Sequence, residues 1–393
     1  MISFGEAAAL VSGIAGPLGR EQVALAKAHR RVLAEPVLAQ VAAPPTDVSA
    51  MDGYAVREAD LAAIPARLRV VGESVAGSGF PGPLGAGTCV RIFTGAPVPH
   101  SADRVIVQEV VRREGDEALF EAPLGPARHI RKTGSDFHAG DVLLPAGAPL
   151  GPRQLVAAAA ADLDVLTVWK RPRLWVLSTG DELAAPGTAR DRPGAIPESV
   201  SFGVAALAAE WGAACLGTVS LADRLGEMQE AAASALRDAE VVVVTGGASV
   251  GERDFAKQMF AGLDLLFSKV AIKPGKPVWL GRAGQRIVLG LPGNPTSAMV
   301  TARLFLAPLL AGLAGLEPST ALRWREARLA APLGPVGERE TFARGRLDGA
   351  EVRVAANQDS SAQRTLAECD VLVRLRPGSA ALDRGTPVQL IDF

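Results

Sequence analysis

Cysteine is scarce in this chain. There are three in 393 residues, Cys89, Cys215 and Cys369, odd in number and far apart. That spacing supplies neither a disulfide framework nor a zinc site, and it points to free thiols in a reducing compartment. A charge excess is missing too. The 41 basic residues face 42 acidic ones, for a formal charge of −1, which excludes a nucleic-acid binder held mainly by electrostatics. Long apolar runs are absent: Leu304 to Leu316 carries Pro308 and is shorter than the ~20 residues of a membrane-spanning helix. No Lys or Arg precedes Arg20, and Glu6 interrupts the N-terminus, so no signal peptide is expected and a cytoplasmic location is. Lysine is the last scarcity. Only seven of the 41 basic residues are lysine, and Lys269, Lys273 and Lys276 fall within eight positions. Arginine does not replace a compact ammonium at a point-charge phosphate contact, so this cluster is more than surface charge.

What is present suits a globular chain of roughly two to four domains, with 48% hydrophobic and 21% charged residues. Ser3-x-x-Glu6 is a capping box before the apolar stripe Ala7, Leu10, Val11 and Ile14, and Val23 to Ala34 reads as a second helix ending at Glu35-Pro36. Residues 41–145 change character: short runs such as Leu68–Val71, Cys89–Phe93 and Arg104–Glu109, punctuated by Pro and Gly, predict a small β domain. Gln154 to Leu163 returns to helix. The expected organisation is a helical domain from residues 1–40 plus 146–170, with the β domain inserted into it. From Arg173 strands and helices alternate, predicting an α/β domain over 171–318 with a parallel sheet covered on both faces. Residues 319–393 return to short strands, predicting a closed or partly closed β-barrel-like domain. The fold class is thus α/β multidomain.

Ligands of such sheets lie at the carboxyl ends of the strands. Three strand ends here carry unusual loops. Val241-Val-Val-Val is apolar enough for a strand buried on both faces, and it runs into Thr245-Gly246-Gly247-Ala-Ser249-Val-Gly251. Glycines let the backbone approach a ligand, and exposed N–H groups cradle an anion. A helix is expected from Glu252 to Phe260, with Asp254 placed to hold a divalent cation against that anion. Arg173 to Ser178 ends in Thr179-Gly180-Asp181-Glu182. Arg286 to Leu289 ends in Gly290-Leu-Pro292-Gly-Asn294-Pro295, with Asn294 as N-cap and Pro295 opening a long helix. Any one of these could be an ordinary strand–turn–helix corner; three at one edge point to a site. Other pieces stand out in the β domain: Ser49-Ala-Met-Asp52-Gly-Tyr54, Arg91-Ile-Phe-Thr94-Gly-Ala-Pro97 and Ile130-Arg131-Lys132-Thr-Gly-Ser-Asp136.

These segments, with Ala271-Ile-Lys273-Pro-Gly-Lys276-Pro, occur in an order that resembles the molybdopterin molybdenumtransferases and the C-terminal domain of gephyrin. The resemblance spans nearly the whole chain. It implies an elongated homodimer of four-domain subunits and insertion of molybdate into adenylylated molybdopterin, with Mg²⁺ and release of AMP. It also implies a site shared between the α/β domain of one subunit and the inserted β domain of the other. Asp52, Thr94 and Asp136 would come from the inserted domain. Glu182, Asp254, Lys269, Lys273, Lys276, Pro292 and Pro295 would line the α/β side, with Glu182 and Asp254 as Mg²⁺ ligands. The Thr179-Gly180 and Thr245–Gly251 backbones, including Gly246, Gly247 and Ser249, would hold the pyrophosphate. Two places depart from the family pattern: Ser220-Leu-Ala-Asp223 stands where an Arg-Asp-Asp run is usual, leaving Asp223 in that role, and Gln358-Asp-Ser360-Ser replaces a Gln-Gly-Ser. The alternatives are a molybdopterin adenylyltransferase, which uses a similar α/β domain, and a non-catalytic scaffold.

Overall fold

The computed structural model describes residues 1–246 and 255–393. The chain divides into two compact units: Met1–Gln22, Arg30–Ala34 and Thr167–Phe393 form one, and Val23–His29 with Glu35–Leu166 form the other.

The first unit is built on a six-stranded sheet. Its strands run in the order Ala214–Leu221, Arg173–Thr179, Val241–Thr245, Arg286–Leu291, Trp279–Ala283 and Leu263–Phe267. The valine run explains why this sheet forms. Val241 and Val243 pack into one cluster with the helices Val200–Glu210 and Pro295–Leu313, while Val242 and Val244 pack into a second with Met228, Ala232 and Ala235 of the helix Leu225–Asp238. Alternate side chains of a strand leave opposite faces, so an unbroken apolar run demands cover on both. The expected parallel sheet is correct for the first four strands and needs correction for the last two. Arg286–Leu291 pairs antiparallel with Trp279–Ala283, because only Gly284 and Gln285 separate them and so short a link cannot cross over.

Pro295–Leu313 is long and apolar enough to cross a membrane by length and composition, but 94% of that stretch is buried inside the protein. A π-helical turn at Ala302–Leu306 lets the helix continue past Pro308, which lacks an N–H to donate. The C-terminal strands Arg325–Leu329, Glu340–Asp348, Glu351–Val354, Val371–Leu375 and Pro387–Asp392 close on themselves, each paired with two others of the set. This is the expected small barrel. Ile272–Lys273 pairs with Glu340–Thr341 of the barrel.

The second unit contains another six-stranded sheet, Arg104–Val107, Gly53–Val56, Thr88–Ile92, Ala66–Ser74, Glu117–Phe120 and Val111–Glu114 in that order. It matches the expected β domain. The helix Pro152–Ala160 also forms.

One helix expected near the N-terminus does not. Phe4–Ile14 carries the capping box as read, but residues 23–34 hold the end of the strand Arg20–Ala24 and a single 3₁₀ turn, Leu25–Lys27. Arg30 takes a left-handed φ of 60°, which breaks any helix, and buried Arg31 reaches Glu21 and the Trp169 carbonyl. Tertiary hydrogen bonding overrides helix propensity here. All three cysteines are free, and burial pushes the Cys89 thiol up to about 12.

Candidate active site

The four parallel strands of the first unit are in register at their carboxyl ends. Ser220, Ser178, Thr245 and Leu291 form one row across the sheet. The expected loops all leave from this row. Gly246 turns away from it at φ 89°, and a Cβ there would lie 2.4 Å from the Thr179 carbonyl oxygen. Only glycine allows the two strand ends this approach. Gly293 passes on the other side, where an added Cβ would sit 3.4 Å from Gly246 Cα. Thr179, Gly180, Thr245, Gly246 and Pro292 are therefore brought together as the sequence predicted.

Carboxylates gather at the same edge. The Glu182 carboxylate folds back over Gly180, with Oε2 2.6 Å from where a Cβ at Gly180 would lie. Asp181 accepts the Asp223 N–H at 3.1 Å, and the Gly180 N–H donates to the Leu221 carbonyl at 3.1 Å. Asp223 thus stands beside the Thr179–Glu182 loop. Asp254, with Gly247, Ser249 and Gly251, lies outside the described residues. So does the start of the helix expected there; its described part, residues 255–260, forms turns and no helix. Among the described residues no three His, Cys, Asp or Glu side chains group closely enough to hold a metal. A Mg²⁺ ion needs only one or two carboxylates when phosphate oxygens and water complete its shell, and Glu182 is a hard oxygen donor that fits this need.

The lysines take a different position. Lys273 and Lys276 line a cleft of about 670 Å³ with Arg339 and Gln358 of the barrel, and Lys269, also exposed, is tied by its carbonyl to the Ile2 N–H. Pro295 opens its helix as expected, but Asn294 makes no side-chain cap. Its amide instead donates to Ser360 Oγ at 2.8 Å. The Thr296 N–H donates to the Ser360 carbonyl at 3.2 Å, so the Gln358–Ser361 segment of the barrel is seated on the Pro292–Ser297 loop.

Sequence reasoning missed three residues that hold this edge. Arg344, fully buried, donates to Thr296 Oγ1 at 3.3 Å and to the Asp359 carbonyl at 3.0 Å. Arg192 donates to the carbonyls of Asp181 and Leu183. Glu198, also buried, caps the helix Val200–Glu210: its carboxylate accepts the Ser201 N–H at 2.9 Å, while Ser199 makes no side-chain cap. Neither arginine stood out in a chain with 34 of them. The only signal for Glu198 was a carboxylate just before a helix start.

In the second unit Asp52 and Thr94 meet. The Thr94 N–H and hydroxyl both donate to Asp52 Oδ1, at 2.7 and 2.8 Å. These two bonds, the backbone one first, hold the half-exposed Asp52 carboxyl below the usual range, with the Arg91 cation adding to them. Arg91 lies over the rings of Tyr54 and Phe93 and donates to the Gly53 carbonyl at 2.8 Å. Asp136 is exposed and is placed by its backbone, whose N–H donates to the Ala43 carbonyl at 3.0 Å. The strand before it, Ile130–Arg131, pairs with Val48–Ser49. Lys132 Nζ donates to Asp47 at 2.6 Å.

Known proteins resemble this chain over nearly its whole length. Residues 2–161 match the MoeA N-terminal region (domain I and II), residues 175–312 a probable molybdopterin binding domain, and residues 326–393 the MoeA C-terminal region (domain IV). The chain is 33% identical to molybdopterin molybdenumtransferase of a Nostoc species over 95% of its own length and 88% of that protein's. It is 37% identical to the Haemophilus influenzae protein of the same name, over 76% of this chain and 74% of the relative. A solved MoeA protein from Pyrococcus horikoshii superposes over the full length of both chains with a TM-score of 0.86 at 26% identity.

Proposed function

Because this chain belongs to the molybdopterin molybdenumtransferase family, we propose that it inserts molybdate into adenylylated molybdopterin and releases AMP, the last step of molybdenum cofactor synthesis. The observation that carries this reading is the row of strand ends at Ser178, Thr245 and Leu291, with Gly246 pressed against Thr179. A diphosphate needs backbone N–H groups that no side chain shields, and glycines at the start of these loops suit that need. Glu182, together with Asp254, would hold Mg²⁺, which when bound neutralises phosphate charge. Lys273 and Lys276 line the neighbouring cleft and would stabilise the negative charge that grows on the departing AMP. Molybdate is a tetrahedral dianion, and the Pro292–Ser297 loop with Arg131 or Lys132 would hold it against the dithiolene sulfurs. No enzyme nucleophile is required.

The reading extends to a homodimer in the cytoplasm, each subunit of four domains. The inserted domain of a second copy would bring Asp52, Thr94 and Asp136 to the sheet edge. The Thr94–Asp52 pair supports this part: it presents an ionised, oriented carboxylate on an exposed loop. The test is incubation of the chain with adenylylated molybdopterin, Mg²⁺ and molybdate. AMP should appear only when molybdate is present. Consumption of ATP in its absence would assign the adenylyltransferase reaction instead, and no AMP in any mixture would leave the scaffold reading.

A further inference from the structure

Among the described residues of the first unit, the most deeply buried carboxylate is one the reaction does not call for. Glu198 is 5% exposed, and none of the hydrogen bonds to its carboxylate comes from a cation. Burying an acidic side chain without one is expensive unless neutral donors satisfy it. Here they do. Oε1 accepts the Ser201 N–H at 2.9 Å and the Ser178 hydroxyl at 3.2 Å, and Oε2 accepts the Ser201 hydroxyl at 2.5 Å. Ser178 Oγ in turn accepts the Thr245 hydroxyl at 3.1 Å. Ser178 and Thr245 are paired across two adjacent strands, the first next to last in its strand and the second last, so each stands at the start of a loop of the site. The backbone around Glu198 is fastened to the third piece: the Ile196 N–H donates to the Glu182 carbonyl at 2.8 Å and the Glu198 N–H to the Ala184 carbonyl at 2.8 Å.

We propose that Glu198 is the positioning residue of the site, fixing the Thr179–Glu182 loop and the Gly246 turn relative to one another through Ser178 and Thr245. The carboxylate has two arms. One caps the helix Val200–Glu210 through Ser201. The other reaches the strand ends through Ser178 and sets where the backbone N–H groups for the diphosphate point. A helix cap alone needs only the first arm. The second arm couples a buried charge to the substrate cradle, and a displacement of about 1 Å in such a cradle lowers rate about 10²-fold.

The two arms can be cut separately, and the test rests on the function proposed above. Ser178→Ala removes the strand arm and leaves the cap. It should raise KM for adenylylated molybdopterin about tenfold or more, the usual effect of losing one hydrogen bond to a charged group, with the circular dichroism of the fold retained. Ser201→Ala removes the hydroxyl bond to Oε2 on the helix side and keeps the backbone N–H of the cap; it should lower the melting midpoint while KM and kcat stay at wild-type values. Glu198→Ala removes both and should combine the two effects; if it does not fold, the serine variants still decide. The inference is overturned if Ser178→Ala keeps wild-type KM and kcat, or if Ser201→Ala changes them as much as Ser178→Ala does. Failure of the functional reading looks different: the wild-type chain itself would release no AMP.

Discussion

Asp52 and Glu198 show two opposite ways of fixing an acidic side chain. Asp52 is half-exposed and oriented by two bonds from a single neighbour, Thr94. Glu198 is buried and oriented by three donors, of which Ser178 extends the chain to the next strand. The first arrangement leaves a carboxylate oxygen open to water and to a ligand. The second uses up the carboxylate in holding backbone. A residue of the first kind can be removed with little harm to the fold; one of the second kind cannot, because its donors would be left buried and unpaired. Chemistry and architecture are thus assigned to different carboxylates, and mutation should separate them.

The largest effect is expected at the more exposed member. Asp52→Ala should lower the rate of AMP release by about 10²-fold or more, the usual loss when a preorganised electrostatic group is removed. Its melting midpoint should stay close to wild type, since surface substitutions seldom matter to stability. A rate within threefold of wild type would remove Asp52 from the reaction. Glu182→Gln should be similarly inactive. If the two residues act across subunits, co-refolding the two inactive variants should restore activity, because hybrid dimers regain one intact site. A mixture as inactive as its parts would place both residues in the same subunit's site.

The next effect is on stability, at Arg344. It is fully buried and ties Thr296 to the Asp359 carbonyl. Arg344→Ala takes a donor from Thr296 Oγ1 and from the Asp359 carbonyl, leaves each with its bond to Ala362, and opens a cavity, which should destabilise the first unit by about 3 kcal/mol. Denaturant unfolding followed by the fluorescence of Trp324 and the other tryptophans would measure it. A shift under 1 kcal/mol would mean that water replaces the guanidinium at no loss.

The difference between the two regions also explains what could be read in the sequence. The sheet was legible because Val241–Val244 has one physical solution, cover on both faces. The loops were legible because their glycines and prolines have few uses at a strand end. The antiparallel pair at Trp279–Ala283 was not read, because nothing in an apolar run states its direction. The strand at Arg20–Ala24 was hidden for another reason: Val23 to Ala34 is a good helix by propensity, and only the tertiary bonds of Arg31 say otherwise. Glu198, Arg192 and Arg344 were invisible individually. Each works by reaching residues distant in sequence, and only the fold reveals those distances. The part of the site on the Gly247–Asp254 loop rests on sequence alone.

The smallest effect sharpens the comparison from the exposed side. Asp47 is held below the usual carboxylate range, first by the hydrogen bond from Lys132 Nζ and then by the Thr133 N–H and hydroxyl. A carboxyl whose folded value is depressed contributes stability that is present above its unfolded value, near 3.8, and is lost as pH falls through the folded value. Lys132→Met removes the largest lowering cause, so the Asp47 titration should move up, with burial raising it and the two Thr133 donors still lowering it. The Lys132 side chain is 69% exposed, and such pairs are worth about 0.2–1 kcal/mol. The variant should therefore melt slightly below wild type at pH 7, and the gap should close as pH falls through the depressed folded value of the wild-type Asp47 and protonates it. Carboxyl-carbon NMR of Asp47 gives the titration directly. A gap that persists unchanged at pH 2 would show that Lys132 stabilises through the packing of its stem and not through its charge.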